Sequence, residues 1–490
     1  MQFRRTGFFS GFFAAALAAV GFFAACAGGC ATYSDDTKNL RAHWNLGDTE
    51  VAEREAAARS EKNSDGGDAL VWLLEEGAAA RANGDFKRSV DAFDRAFEKI
   101  RGFESEPEYR LCEEAAAVLA NRSFVPYKGY NYDKIMLCVY QSMNYMELGR
   151  LDRARVELKR LANFQAEAKR ENSARIEARA NAMKEAKTKN AAAKTSAGLA
   201  NVGSVKSGLA RIYGAGYAER AQALQQAANI YANPFGYWLG GVFFANAARS
   251  QSDRDTAEAM FRICAEMLGG KSAVVNSDYA AARKFAGGAA DSMGDFTYVV
   301  FETGVAPARG QFRLDLPLYL ISRDLPSVHA NFPYLRKNDS FKASLEIQSY
   351  PNVGFDVISD MDSIIQNEFD INLPYVITTT IAGSAAKAAA QYFAARAAGD
   401  YSILVNIGGS VLQGLVNDAD LRTWTTLPKQ IKLAKIPTPS DGRLVIAGAV
   451  VNVNPKGTNI VFAKRMSAEG KTILRPFSFG ATLTTKNTKD

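Results

Sequence analysis

Histidine is almost missing from this chain: His43 and His329 are the only two in 490 residues. A three-His metal site is therefore impossible, and a catalytic triad built on imidazole has little to draw on. Cysteine is scarce as well, and five thiols in so long a chain exclude a disulfide scaffold. No Cys-x-x-Cys, His-Glu-x-x-His or calcium-loop pattern occurs. Asp360-Met361-Asp362 is a lone acidic pair that reads as a helix cap rather than a metal site. Charge of one sign is not in excess either. The 59 Lys+Arg against 52 Asp+Glu leave a formal +7, too mild to imply nucleic acid without a clustered basic face. What is present, 47% hydrophobic and 23% charged residues, describes an ordinary globular chain and excludes global disorder. Its length suggests two to four domains at roughly 150 residues each.

Short catalytic look-alikes do not hold up. Ser384-Ala385-Ala386-Lys387 has the Ser-x-x-Lys spacing of penicillin-binding enzymes, but the companion Lys-Thr-Gly string is missing. Gly270-Lys271-Ser272 and Gly470-Lys471-Thr472 lack the upstream glycine of a phosphate-binding loop, since Ala265 and Arg465 stand there. The sequence therefore reads as a non-enzyme, with no metal, nucleic acid or small-molecule substrate inferred.

The first thirty residues carry an address. Arg4 and Arg5 precede an apolar run from Phe8 to Ala25, with no acidic residue before Asp35. This reads as a secretory signal, although the run approaches the ~20 residues of a membrane span. It ends in Ala24-Ala25-Cys26 and Gly28-Gly29-Cys30, and small residues before a Cys resemble a bacterial lipobox. The resemblance implies cleavage before the Cys and a diacylglycerol on its thiol. Cys30 is the favoured site because the chain turns polar only after it; Cys26 is the alternative. Alanine follows either Cys where an Asp would retain the protein at the inner membrane, which points to the outer membrane facing the periplasm. Removing residues 1–29 also removes Arg4 and Arg5, so the basic excess shrinks further. The remaining thiols, Cys112, Cys138 and Cys264, lie in apolar helical patterns and read as buried free cysteines.

The polar stretch within 30–66 reads as a lipidated tether. Residues 67–294 read as helical, with an internal repeat. Helix–turn–helix patterns occur at 68–101 and 134–165, with turns at Gly84-Asp85-Phe86 and Gly149-Arg150-Leu151. Counted from each turn glycine, both hold a small residue at −7 (Gly77, Ser142). Both hold an aromatic or aliphatic residue at +2 (Phe86, Leu151), a small residue at +5 (Ser89, Ala154) and a large one at +9 (Phe93, Leu158). This is the tetratricopeptide frame. A degenerate third copy covers about 236–268, with Ala245, Ala257, Phe261 and Cys264 in the corresponding places. Between copies, residues 165–205 form an Ala/Lys/Glu-rich charged helix or excursion.

From 295 to 490 the pattern becomes α+β. Strands are expected at 297–301, 312–316, 341–347, 431–433, 443–451, 459–463 and 472–474. A Gly/Ala-rich helical pair is expected at 375–397 and 402–417, on one face of an antiparallel sheet. Lys387, Arg396 and Asp400 interrupt any long apolar run in that pair.

Two polar strings stand out. Glu302 and Arg309 bound one between strands, and Asp420, Arg422 and Trp424 lie in the other, followed by Leu427-Pro428. They read either as a partner-recognition surface or as an internal salt bridge with a buried Trp. Together with Asn233-Pro234-Phe235-Gly236-Tyr237-Trp238-Leu239, they resemble an uncharacterised family of Gram-negative lipoproteins with a tetratricopeptide-like front half. Members of that family often look like neighbours of an outer-membrane lipoprotein that activates penicillin-binding proteins. The resemblance implies envelope or peptidoglycan-assembly work and supplies no catalytic residues. The expected protein is a lipid-anchored periplasmic scaffold for protein or peptide partners. The rival readings are a membrane-active or export component using 375–417 and, more remotely, a cell-wall enzyme.

Overall fold

The structure is a computed structural model. It describes residues 33–105, 125–168, 170, 203–217, 219–220, 224, 233–316, 328–338, 341, 344–398 and 419–480. Cys26, Cys30 and Cys112, the leader, most of the 165–205 excursion and the expected helix at 402–417 lie outside those residues.

The fold is α+β. Short helices α1 (Tyr33–Asp36), α2 (Lys38–Leu46) and α3 (Thr49–Lys62) lead into a hairpin of α4 (Ala69–Asn83) and α5 (Phe86–Ser105). Helix α6 (Asn131–Glu147) pairs with α7 (151–168); α8 (Gly203–Tyr213) stands apart in sequence. Helices α9 (Pro234–Asn246), α10 (Gln251–Met267) and α11 (Ala273–Ala286) complete the first part. Then come β1 (Phe296–Thr303), β2 (Ala308–Leu316), β3 (Val328–Arg336) and β4 (Asp356–Asp360). A long helix α12 (Met361–Ala398) is followed by β5 (Gln430–Pro437), β6 (Arg443–Ile446), β7 (Ala449–Asn452), β8 (Asn459–Arg465) and β9 (Ile473–Ser478).

Helix α4 is the innermost helix of the first part. Its sequence is apolar all round, and every residue from Ala69 to Ala82 is buried, as expected of a helix with neighbours on all sides. Gly84 ends it with φ +94°, a left-handed conformation that closes the last turn. Gly77 lets α5 come close: a Cβ there would run into the Phe93 ring, and Ser89 Oγ donates to the Gly77 carbonyl at 2.6 Å.

The main sheet has strand order β4-β5-β1-β8-β9. It departs from the expected antiparallel sheet, because β1 and β8 run parallel, Thr297 opposite Asn459 through Thr303 opposite Arg465. Strand β1 is central and buried along nearly its whole length, the usual condition for a parallel pairing. Its alternation serves two cores. Tyr298 and Val300 join Leu433, Ile460 and Phe462 against the helices. Val299 and Phe301 join Ile436, Val461 and the β6–β7 hairpin on the opposite face. The first of these cores contains Tyr33, Trp72, Phe243, Trp424 and Phe479, so residues on both sides of position 295 pack into one cluster.

Three expectations differ in detail. The stretch read as a tether is helical from Tyr33 onward, with Tyr33, Leu40 and Trp44 buried. Three apolar side chains spaced along a polar segment suffice to dock it. Among the described residues of the expected strand at 341–347, one bridge forms, Ile347 to Ile446. The helix placed at 375–397 begins at Met361 and runs through Pro374. Asp360 caps its start, accepting from Ser363 N and Oγ at 3.4 and 3.1 Å. The β2–β3 hairpin packs Phe312 and Phe332 with Leu209 of α8 and with Phe369 and Leu373 of α12 in a separate small core. Among the described residues, no helix is long and apolar enough to cross a membrane.

Candidate functional site

Of the polar residues singled out in the sequence, Glu302, Arg422 and Trp424 are buried, and Arg309 and Asp420 are half-buried. Glu302, near the end of β1, accepts from Lys464 Nζ at 2.7 Å and from Tyr140 Oη of α6 at 2.9 Å. Trp424 is fully buried, its edge toward Phe93 and Tyr140 at 5.9 and 5.8 Å between ring centroids, and its Nε1 donates to Thr426 Oγ1 at 2.8 Å. Arg422 is buried and donates to both oxygens of Asp420 at 2.8 Å and to Asp68 at 3.0 Å. Burial alone would raise the Asp420 carboxyl, but its bonds from Arg422 hold it below the ordinary carboxylate range. Arg309 lies over the Tyr130 ring at 4.2 Å and the Phe369 ring at 5.5 Å. The arrangement is therefore an internal set of ion pairs with a buried Trp. Glu302, Arg422 and Trp424 are turned into their own chain, whereas Arg309 and Asp420 keep part of their surface exposed.

Around them sit ionisable groups that the sequence reading missed. Glu75 is fully buried on α4. Its Oε1 lies 2.5 and 2.7 Å from Thr425 N and Oγ1, and its Oε2 lies 3.2 and 2.7 Å from Thr426 N and Oγ1. Asp133 caps α6, accepting from Tyr130 N at 2.8 Å and Tyr127 Oη at 2.5 Å, and burial pushes its carboxyl up to about 7. Glu368 of α12 reaches the same helix start, where Asn131 N and Tyr132 N donate to it at 3.0 and 3.3 Å. Farther along the sheet, Asp278 holds Trp238 Nε1, Tyr298 Oη and Lys435 Nζ at 3.0, 2.8 and 2.8 Å. One signal for Glu75 and Arg81 was in the sequence: a helix apolar on every face must bury whatever polar residues it carries.

A recess of about 30 Å³ opens where α4 meets β8 and β9, enough for one or two water molecules. Arg81, Glu302, Lys464 and Arg475 bring charge to its wall. Arg81 is only 7% exposed; Nη1 donates to Asn144 Oδ1 at 2.9 Å, and burial lowers its basicity. Arg475 Nη2 donates to the Ala82 and Asn83 carbonyls at 3.2 and 2.8 Å, capping the C-terminus of α4. Neither arginine forms an ion pair with a described carboxylate. Glu147 lies nearby, pushed up to about 7 by burial against the pull of Arg81 and Arg475, and its Oε1 is buried without a hydrogen bond.

The raised carboxyls have a consequence for stability. A folded-state value above the unfolded one favours folding fully below about pH 4.5, and that favour is lost as pH rises toward 7. Asp133, Glu147 and Glu157 all carry values of about 7, so urea stability is expected to fall from pH 5 to pH 8. Glu147→Gln is expected to remove roughly 1–2 kcal/mol of that slope. An unchanged profile in the variant would place the titration elsewhere.

Ser384 is buried, and the Lys387 side chain lies outside the described residues. Cys138 and Cys264 are free and buried, and burial pushes both thiols up, away from the reactive thiolate. No group of three or more metal-ligating side chains occurs among the described residues. No family model matches the chain, and no curated protein or solved structure is significantly similar to it.

Proposed function

We propose that this chain is a lipid-anchored scaffold of the cell envelope. It would pair a tetratricopeptide-like domain over 67–294 with a C-terminal α+β domain over 295–490. The anchor is a diacylglycerol on Cys30, at the outer membrane and facing the periplasm. Its partner is a protein or peptide of envelope or peptidoglycan assembly. The close helix crossings at Gly77 against Phe93 and at Gly241 against Phe261 support the repeat reading, since small residues opposite large ones are its physical requirement.

The observation that carries the proposal is the position of Tyr33. Its Oη lies 2.9 Å from both Glu75 Oε1 and Thr423 O, inside the core, three residues after Cys30. Three peptide steps span no more than about 11 Å. A lipid on Cys30 would therefore hold the folded body against the membrane surface with no long tether between them. Such an anchor fixes the orientation of the body as well as its location. Many of the chain's buried ionisable groups are engaged in internal bonds, which suits a rigid body that presents surfaces.

Fractionation tests this. Cys30→Ala is expected to move the protein from the membrane to the soluble periplasmic fraction, while Cys26→Ala leaves it membrane-bound. The reverse pattern would transfer the anchor to Cys26. Membrane retention of the double variant would overturn the lipid anchor.

A further inference from the structure

At the end of α4, Arg81 and Arg475 share a recess without a close carboxylate partner; Glu147, whose charge both feel, is not among the residues that line it. Arg81 is more than nine-tenths buried and lines the recess, and its only hydrogen bond among the described residues runs from Nη1 to Asn144. Across the recess, Arg475 is held by Nη2 on two backbone carbonyls, and its Nε is buried without an acceptor. Lys464 adds a third cation, but it is already matched by Glu302 at 2.7 Å, with Tyr140 Oη at 3.2 Å. Two guanidinium groups therefore line one small space: Arg475 with its Nε buried and unbonded, and Arg81, set among the Phe86, Tyr140 and Phe462 rings, with Nη1 alone hydrogen-bonded. Leaving buried donors unbonded is costly, which favours an acceptor between them.

We infer that this recess is a binding site for a carboxylate group, held between the guanidinium groups of Arg81 and Arg475. Three features select that ligand. The planar fork of arginine matches the two oxygens of a carboxylate. The volume of about 30 Å³ suits a group of that size better than a tetrahedral oxyanion. The remaining wall is apolar, with Ala78, Ala82, Phe462 and Ile473, and would accept the carbon attached to the carboxyl. The Glu302 carboxylate in the same wall disfavours a second negative charge, so a monoanion fits and a phosphate dianion does not. Ile473 and Arg475 are half-buried on strand β9, which makes this edge the mouth. A carboxylate can arrive there as a small free acid or as the C-terminal end of a peptide. This inference does not depend on the lipid anchor.

The test is ligand-observed NMR on the full-length protein with acetate, with chloride as competitor, at constant ionic strength. Acetate is expected to bind in the millimolar range and to resist displacement by equal chloride. Arg475→Gln, at the rim, is expected to weaken binding by about tenfold or more through loss of a charge-assisted bond. Arg81→Gln is expected to do the same. If burial prevents that variant from folding, as judged by circular dichroism, Arg475→Gln alone decides. A short peptide with a free C-terminus that binds at least about tenfold tighter than its amide and than acetate identifies a chain end as the source. Equal binding of acetate and the free-acid peptide identifies a small free acid. The inference is overturned if acetate does not bind, if chloride displaces it one for one, or if Arg475→Gln binds it like the parent.

Discussion

Replacing Glu75 with Ala is expected to cost the protein about 3–5 kcal/mol of stability. The substitution leaves two backbone N–H groups, at Thr425 and Thr426, and the hydroxyls of both threonines and of Tyr33 facing an empty pocket in the core. Each of the four threonine groups is a buried donor that has lost this acceptor, while Tyr33 keeps the Thr423 carbonyl. The same carboxyl joins three distant pieces of chain: α4, the segment after Trp424, and the first residues of α1. Tyr33 Oη also lies 2.9 Å from both Glu75 Oε1 and Thr423 O, so its one hydrogen serves two acceptors. Burial pushes the Glu75 carboxyl upward against the bonds it accepts from Thr426, Thr425 and Tyr33. Glu75→Gln, which keeps the shape but fixes one donor in place, is expected to cost about half as much. Urea denaturation of the two variants measures both values, and a cost below about 1 kcal/mol for the alanine variant would remove Glu75 from its central place.

Deleting residues 1–46 is expected to destabilise the chain by roughly 5 kcal/mol relative to a chain beginning at Ala31. Tyr33, Leu40 and Trp44 are buried, and each fully buried large apolar side chain contributes about 1.5–3 kcal/mol. Tyr33 packs edge-on against Trp72 at 5.2 Å, and the Lys464 ammonium sits over the Trp44 ring at 4.8 Å, beside the Glu302 pair. A tether would cost nothing to remove. Equal urea midpoints for the two chains would therefore restore the tether and detach the anchor from the folded body.

How far the sequence could be read follows from what each signal depends on. The helical hairpins at α4–α5 and α6–α7 were legible because their apolar spacing and turn glycines are local, and α9–α10, which has no turn glycine, by its spacing of small and large residues. Strands β1, β5 and β8 were legible as β-branched alternating runs. The parallel pairing of β1 with β8 was not, since it joins residues more than 150 positions apart and nothing local marks strand direction. Strand β3 was missed because Asn331 and Pro333 break its pattern, and β4 because five residues of DVISD look like a helix approach. Residues 33–46 were misread because their polarity is high on average while three residues carry the packing. At the candidate site, Glu302, Arg422 and Trp424 were found as unusual polar neighbours, and their burial was weighed but could not be decided without tertiary partners. Glu75, Arg81 and Arg475 were missed. Their importance lies in contacts across the layer, although an all-apolar α4 already implied that its charges were enclosed.

The measurement that bears most directly on the proposed anchoring is the intact mass of the N-terminal fragment of the protein extracted from membranes. The expected result is a chain beginning at Cys30 and carrying a diacylglycerol on its thiol, with Tyr33 three residues away. A chain that retains Met1, or one cut elsewhere with Cys26 and Cys30 both unmodified, would contradict it.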